Sequence, residues 1–150
     1  MLDSSSITQH IPHRPPFLFV DQVLERKEST IRAQKTFTGT EDFFKGHYPE
    51  YPILPGVIAC EAIFQTGAIL MAHILSTEKE NGHKVPVLTR ITKAKFKDQI
   101  LPPATIEIQV ELKEKVMFAY FMQGKILHQG KTAVEVEFSV AMVEQASPKP

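Results

Sequence analysis

The sequence predicts an α+β protein in which one long apolar helix packs against an antiparallel sheet that curls around it. Three observations carry this. The run from Gly56 to about Leu75 is apolar on nearly every side, and Pro55 stands before it where proline is welcome, in the first helical turn. After that run the period changes to two. In TIEIQVEL, Ile106, Ile108, Val110 and Leu112 alternate with Glu107, Gln109 and Glu111; in AVEVEFSVAMV, Val134, Val136, Phe138, Val140 and Met142 alternate with Glu135, Glu137, Ser139 and Ala141. Third, a helix apolar all round needs cover on most of its surface. One flat sheet face cannot supply it, so either the sheet curls or a second subunit covers the remainder.

The elements follow in order. Residues 1–8 and the tail QASPKP from Gln145 are expected to fray at the ends of a single domain spanning residues 1–150. In IPHRPPFLFVDQV, Pro12, Pro15 and Pro16 forbid a regular helix, and a strand is expected from about Phe17. TIRAQKTF forms a second strand after a turn near Lys27 to Ser29. The helix ends in a polar last turn holding Glu78, Lys79 and Glu80, closed by Asn81-Gly82-His83. KVPVLTRITKAKF and VMFAYFMQGKILH read as further strands, and Gln129-Gly130 offers a tight hairpin turn.

Composition narrows the class. With 150 residues, 43% hydrophobic and 23% charged, the chain can bury a real core as one domain. Its 17 basic residues balance 17 acidic ones, so no global field draws it to nucleic acid or an anionic membrane. A single cysteine, Cys60, excludes an internal disulfide and fits a reducing compartment. The opening MLDSSSITQH carries no signal-peptide core. Val57 to Leu75 is long enough to span a bilayer but contains Glu61, Gln65 and His73, so a soluble, cytoplasmic protein without membrane insertion is expected. His10, His83 and His128 lack companions at metal-ligand spacing, so no metal site is expected. No phosphate loop, dinucleotide fingerprint or nucleic-acid motif is present.

Between Gly56 and Ala72, Glu61 is the only charged side chain. A carboxylate in apolar surroundings is paired or kept protonated, which leaves two readings: a structural glutamate or a general acid. His47 lies in KGHYPEYP, a loop that Pro49, Pro52 and Pro55 stiffen as it approaches the helix. Glu61 follows Gly56 by about 7.5 Å along the helix axis, near enough for a shared pocket. The Gly56 N–H, at the helix N-terminus, is suited to a developing negative charge. Histidine, carboxyl group and amide together suit removal of a proton beside a carbonyl. Gln65, one turn on, is placed to hydrogen-bond Glu61. Cys60 points about 100° away and reads as packing. His13 and Arg14 read as organisers of the proline loop, and His73 as a polar residue at the end of the core.

At these residues the sequence resembles a known family. IPHRPPFLFVDQV, GHYPEYPILPGV and EAIFQTG resemble the signature segments of bacterial 3-hydroxyacyl-acyl-carrier-protein dehydratases, in the branch with a catalytic glutamate rather than an aspartate. The resemblance runs from about Ile11 to Met142 and implies a hot-dog fold. It also implies a dimer, often three dimers as a hexamer, with active sites at the subunit interface. It gives His47 the proton next to the thioester carbonyl, Glu61 of the partner chain the departing 3-hydroxyl, and the Gly56 N–H the thioester oxygen. No metal or redox cofactor is implied, and the substrate rides on the phosphopantetheine arm of acyl carrier protein. Four positions depart from the family pattern: Phe64 in place of a small residue, Pro102-Pro103-Ala104 at a usual PGD turn, Val87 at a proposed aromatic gate, and Arg90 at a small position. Phe64 and Val87 are thereby assigned to the acyl tunnel. Arg90, Lys93, Lys95 and Lys97 are either a solvated outer face or a docking patch for the acidic carrier. Two rival activities share this fold, an acyl thioesterase and a non-catalytic acyl-binding module.

Overall fold

The alternating segments become strands and the apolar segment becomes the helix around which they close. The computed structural model describes residues 2–77 and 84–144. Among these, β1 (Leu2–Asp3), β2 (Gln22–Arg26), β3 (Thr30–Phe37), β4 (Lys84–Phe96), β5 (Ala104–Val116), β6 (Ala119–His128) and β7 (Lys131–Glu144) form one antiparallel sheet in the order β1-β2-β3-β5-β6-β7-β4. Three helices accompany it: α1 (Ser4–Ile7), α2 (Asp42–Gly46) and the long α3 (Gly56–Thr77). This is the hot-dog arrangement, one long helix held by a curved sheet.

Strand alternation sets the core. Ile106, Ile108 and Val110 of β5, Met122 and Ile126 of β6, and Val136 and Phe138 of β7 are buried with Ala62, Ile63, Ile69, Leu70 and Met71 of α3. Each large aliphatic side chain removed from water contributes about 1.5–3 kcal/mol. By length and composition α3 would cross a membrane, yet 61% of its most apolar window is buried against the sheet, as befits the core of this fold.

Helix and sheet approach most tightly at Gly124, where an added Cβ would lie 2.2 Å from Cγ2 of Ile63. Gly124→Ala is therefore expected to destabilise the protein by about 1–3 kcal/mol in urea unfolding, because Ile63 is stiff at χ1 and has no free space to turn into. Adding Ile63→Leu, which removes that methyl group, should recover part of the loss.

The two-residue turn at Gln129-Gly130 forms as expected, with φ of 51° and 76° and His128 paired to Lys131. Other expectations fail. The segment read as frayed, residues 1–8, instead pairs Leu2–Asp3 with β2 and buries Ile7 completely. The strand expected from Phe17 begins at Gln22, because the Phe17 carbonyl and the Phe19 N–H bond the Gln65 side chain rather than a neighbouring strand. The run expected as one strand from Val116 breaks at Met117, whose φ of 54° turns β5 into β6. The short helix α2, just before His47, had no periodic signal to announce it. The helix-closing turn at Glu78 to His83 and the tail from Gln145 lie outside the described residues.

The cover is incomplete on one side. Val57 at the start of α3 is 76% exposed, and β4 is an edge strand. Its Leu88, Ile91 and Phe96 sit opposite the buried Val140, Phe138 and Val134 of β7, so they face inward, yet they remain open to solvent. Among the described residues an apolar face beside the longest helix is thus left uncovered, as the all-round apolar helix foretells.

Candidate active site

His47 follows α2 directly and is half-buried. Its Nδ1 lies 3.0 Å from the carbonyl oxygen of Ile53. A carbonyl only accepts, so Nδ1 carries the hydrogen and donates it, and in the neutral ring Nε2 keeps its lone pair. The turn that sets this geometry includes Tyr48, at φ 51°, whose ring meets the imidazole edge-on at 4.8 Å. The histidine opens onto a cleft of about 740 Å³ that Tyr48, Tyr51, Gly56, Phe96 and Lys97 also line.

Gly56 is the first residue of α3, so its N–H is among the first-turn donors that the helix cannot pair internally. A side chain there would collide with Phe96, since a Cβ added to Gly56 would lie 2.8 Å from that ring. Glycine lets the helix begin directly beneath the ring, at the edge of the cleft.

Glu61 is elsewhere. Its side chain is 23% exposed, so it is less buried than the helix pattern suggests. Oε1 accepts a hydrogen bond from Gln65 Nε2 at 3.0 Å and lies 3.5 Å from His13 Nε2. Among the described residues no hydrogen bond or ion pair joins Glu61 to His47, and Glu61 does not line the His47 cleft. One chain therefore brings His47 and Gly56 together and leaves the carboxyl group on a separate surface.

Gln65 is fully buried and binds three ways: to Glu61, to the Phe17 carbonyl at 3.0 Å, and from the Phe19 N–H at 2.8 Å. It fastens the proline loop to the helix and orients the acid at once. That loop brings His13 onto Glu61, a contact that sequence reasoning missed because nothing periodic ties the two segments.

Phe64 is half-buried and meets Phe138 edge-on at 4.9 Å. Val87 pairs with Ala141, an odd number of residues from Phe138, so it lies on the other face of the sheet. The structure does not bring these two tunnel candidates together. Arg90, Lys93 and Lys95 pair with Ser139, Glu137 and Glu135, and Lys97 Nζ lies 2.8 Å from Glu135. Its hydrogen bond to Lys97, aided by Lys95 and Lys93, holds the Glu135 carboxyl below the usual carboxylate range. Cross-strand acids thus offset part of a patch that looks purely basic in sequence.

The remaining candidates fall in place as packing residues. Burial pushes the Cys60 thiol upward and leaves it inert. Burial first, then the nearby Arg26 and His10, hold His73 below the ordinary imidazole range. Among the described residues no group of three or more potential metal ligands occurs.

Comparison with known proteins agrees with this layout. The family model for the FabA-like domain matches residues 11–137. The 3-hydroxyacyl-acyl-carrier-protein dehydratase FabZ of Clostridium perfringens is 44% identical over 112 residues, covering 75% of this chain and 78% of its own. Among solved structures, the dehydratase heterocomplex ApeI:P from Xenorhabdus doucetiae superposes with a TM-score of 0.78 at 17% identity, covering 93% of this chain and 91% of its own. A hypothetical thioesterase with coenzyme A from Streptococcus pneumoniae gives 0.64 at 10% identity, covering 84% and 88%. At such identities the structural likenesses establish the fold alone.

Proposed function

Because the chain belongs to the FabA-like family of 3-hydroxyacyl-acyl-carrier-protein dehydratases, we propose that it converts 3-hydroxyacyl-acyl carrier protein to the trans-2-enoyl form in fatty-acid synthesis, with His47 as the base. The observation that carries the residue assignment is the His47–Ile53 hydrogen bond. It leaves a lone pair on Nε2 at a cleft that the first turn of α3 also borders.

The steps balance without an external reagent. Nε2 of His47 takes the proton from C2 of the acyl group. The electron pair moves toward the thioester oxygen, where the Gly56 N–H receives the developing charge. The pair then returns to form the C2–C3 double bond, the 3-hydroxyl leaves as water with the Glu61 proton, and the proton held by His47 passes to the Glu61 carboxylate, which restores both groups. The thioester is its own electron sink, so the reaction calls for no metal or redox cofactor, and the phosphopantetheine arm of acyl carrier protein delivers the substrate.

Glu61 comes from a second copy of the chain in this reading. What supports that is the separation of Glu61 from the His47 cleft, together with the apolar face of Val57, Leu88, Ile91 and Phe96 that one chain leaves open. A dimer is the smallest unit that completes the site, and a hexamer of three dimers extends it. We place the protein in the cytoplasm, where a buried, unpaired Cys60 is at home.

The test is mass spectrometry of 3-hydroxyacyl carrier protein after incubation with the enzyme. Loss of one water supports the dehydratase. Release of the free acid would point to a thioesterase, and unchanged substrate across chain lengths to a binding module.

Lys97, which lines the cleft, and the neighbouring Lys93 and Lys95 are proposed to guide the acidic carrier to it. Replacing Lys93 and Lys95 by Glu is expected to raise KM for acyl carrier protein about tenfold at low salt, with the difference fading toward about 0.5 M salt as charges are screened. A KM that ignores both charge and salt would leave these lysines as a solvated face.

A further inference from the structure

We propose that His13 positions Glu61: together with Gln65 it holds one carboxyl oxygen, Oε1, so that Oε2 is the oxygen that gives up the proton. The inference rests on the reading of Glu61 as the acid and extends it to a residue that touches no substrate.

Both contacts converge on a single atom. Oε1 accepts from Gln65 Nε2 at 3.0 Å and has His13 Nε2 at 3.5 Å, a short movement from hydrogen-bond length. Among the described residues no protein group bonds Oε2. A hydroxyl hydrogen on Oε1 would face two N–H donors, whereas on Oε2 it meets none and is free to reach a leaving group.

The imidazole is held for this task. The Phe17 ring stacks on it, with centroids 6.3 Å apart and planes 26° apart. Arg14 Nη1 donates to the Ile11 and His13 carbonyls at 2.9 and 2.7 Å, which fixes the backbone that carries the ring. Gln65 anchors the same loop through Phe17 and Phe19.

The tautomer follows from the other nitrogen. His13 Nδ1 is buried and, among the described residues, has no hydrogen-bond partner. A buried N–H without an acceptor is costlier than a lone pair without a donor. The neutral ring therefore keeps its hydrogen on Nε2, the nitrogen that lies 3.5 Å from Glu61 Oε1. Once the acid has delivered its proton, the Gln65 and His13 N–H groups hold the carboxylate in register for the next turnover.

Three substitutions separate this role from loop organisation. His13→Gln puts an amide N–H where Nε2 stands, His13→Asn puts one where Nδ1 stands, and His13→Phe keeps the stacked ring with no donor. Water loss is measured in the assembled enzyme, with unfolding midpoints recorded for each variant. Asn and Phe are expected to lose about tenfold or more in kcat with KM unchanged, while Gln retains most of it. In a Glu61→Gln background the Gln, Asn and Phe variants should become equivalent. Equal losses in Gln and Asn, a loss carried by KM, or a Phe variant with wild-type kcat would each overturn the assignment. The Gln–Asn pair decides the matter even if Phe does not fold. Wild-type enzyme that releases no water would instead overturn the acid reading of Glu61, a failure visible before any His13 variant is compared.

Discussion

His47→Ala and Glu61→Gln enzymes, each inactive alone, are expected to regain about a quarter of wild-type activity when their subunits are mixed and reassembled. Each substitution removes one proton-transfer group and should lower kcat by about 10²–10⁴. If His47 and Glu61 of one site come from different chains, about half of the randomly paired dimers are mixed. Each mixed dimer then holds one site with both residues intact and one with neither. If both residues served from the same chain, every site in the mixture would lack one of them, and mixing would restore nothing. The experiment therefore reads the geometry directly: one chain places Gly56 with His47 in a cleft and holds Glu61 on Gln65 and His13 instead. The readout is water loss from 3-hydroxyacyl carrier protein before and after reassembly. Activity stuck at the level of the separate variants would end the shared-site reading.

What the sequence disclosed, and what it concealed, divides along local and non-local lines. The α3 helix, the alternation of β5 and β7 and the Gln129-Gly130 turn are written in neighbouring residues, and each formed where its pattern placed it. The Gln65–Glu61 bond was equally legible, because side chains four residues apart share a helix face. Pairing partners were not. Lys93 and Lys95 look like free cations until the register of β4 on β7 sets Glu137 and Glu135 opposite them. Only the same register shows that Val87, assigned to the acyl tunnel, lies on the face of Ala141. His13 shows the limit most clearly. Its loop has no period, so only the buried Gln65, gripping Phe17 and Phe19, determines that this imidazole reaches Glu61.

That grip leads to the second large effect: Gln65→Leu is expected to cost about 2–4 kcal/mol of stability and about tenfold in kcat. Leucine has nearly the same volume, so the packing of a fully buried position changes little. What changes is pairing. The buried Phe19 N–H loses its acceptor, which costs about 1–3 kcal/mol, and the part-buried Phe17 carbonyl loses its donor at a smaller cost. The added apolar burial offsets part of this. Glu61 simultaneously loses the amide that holds Oε1, and His13, carried by the loosened loop, no longer has a fixed approach to it. Urea unfolding and steady-state kinetics on the same preparations test both halves. Gln65→Glu sharpens the test, since a carboxylate can still accept from Phe19 but cannot donate to Phe17, and it sets like charge beside Glu61. It should therefore keep less activity than Leu retains, even where its stability is comparable. A Leu variant within about 0.5 kcal/mol of wild type would show that the loop holds its place without Gln65, and the coupling of fold to acid drawn through this side chain would fail.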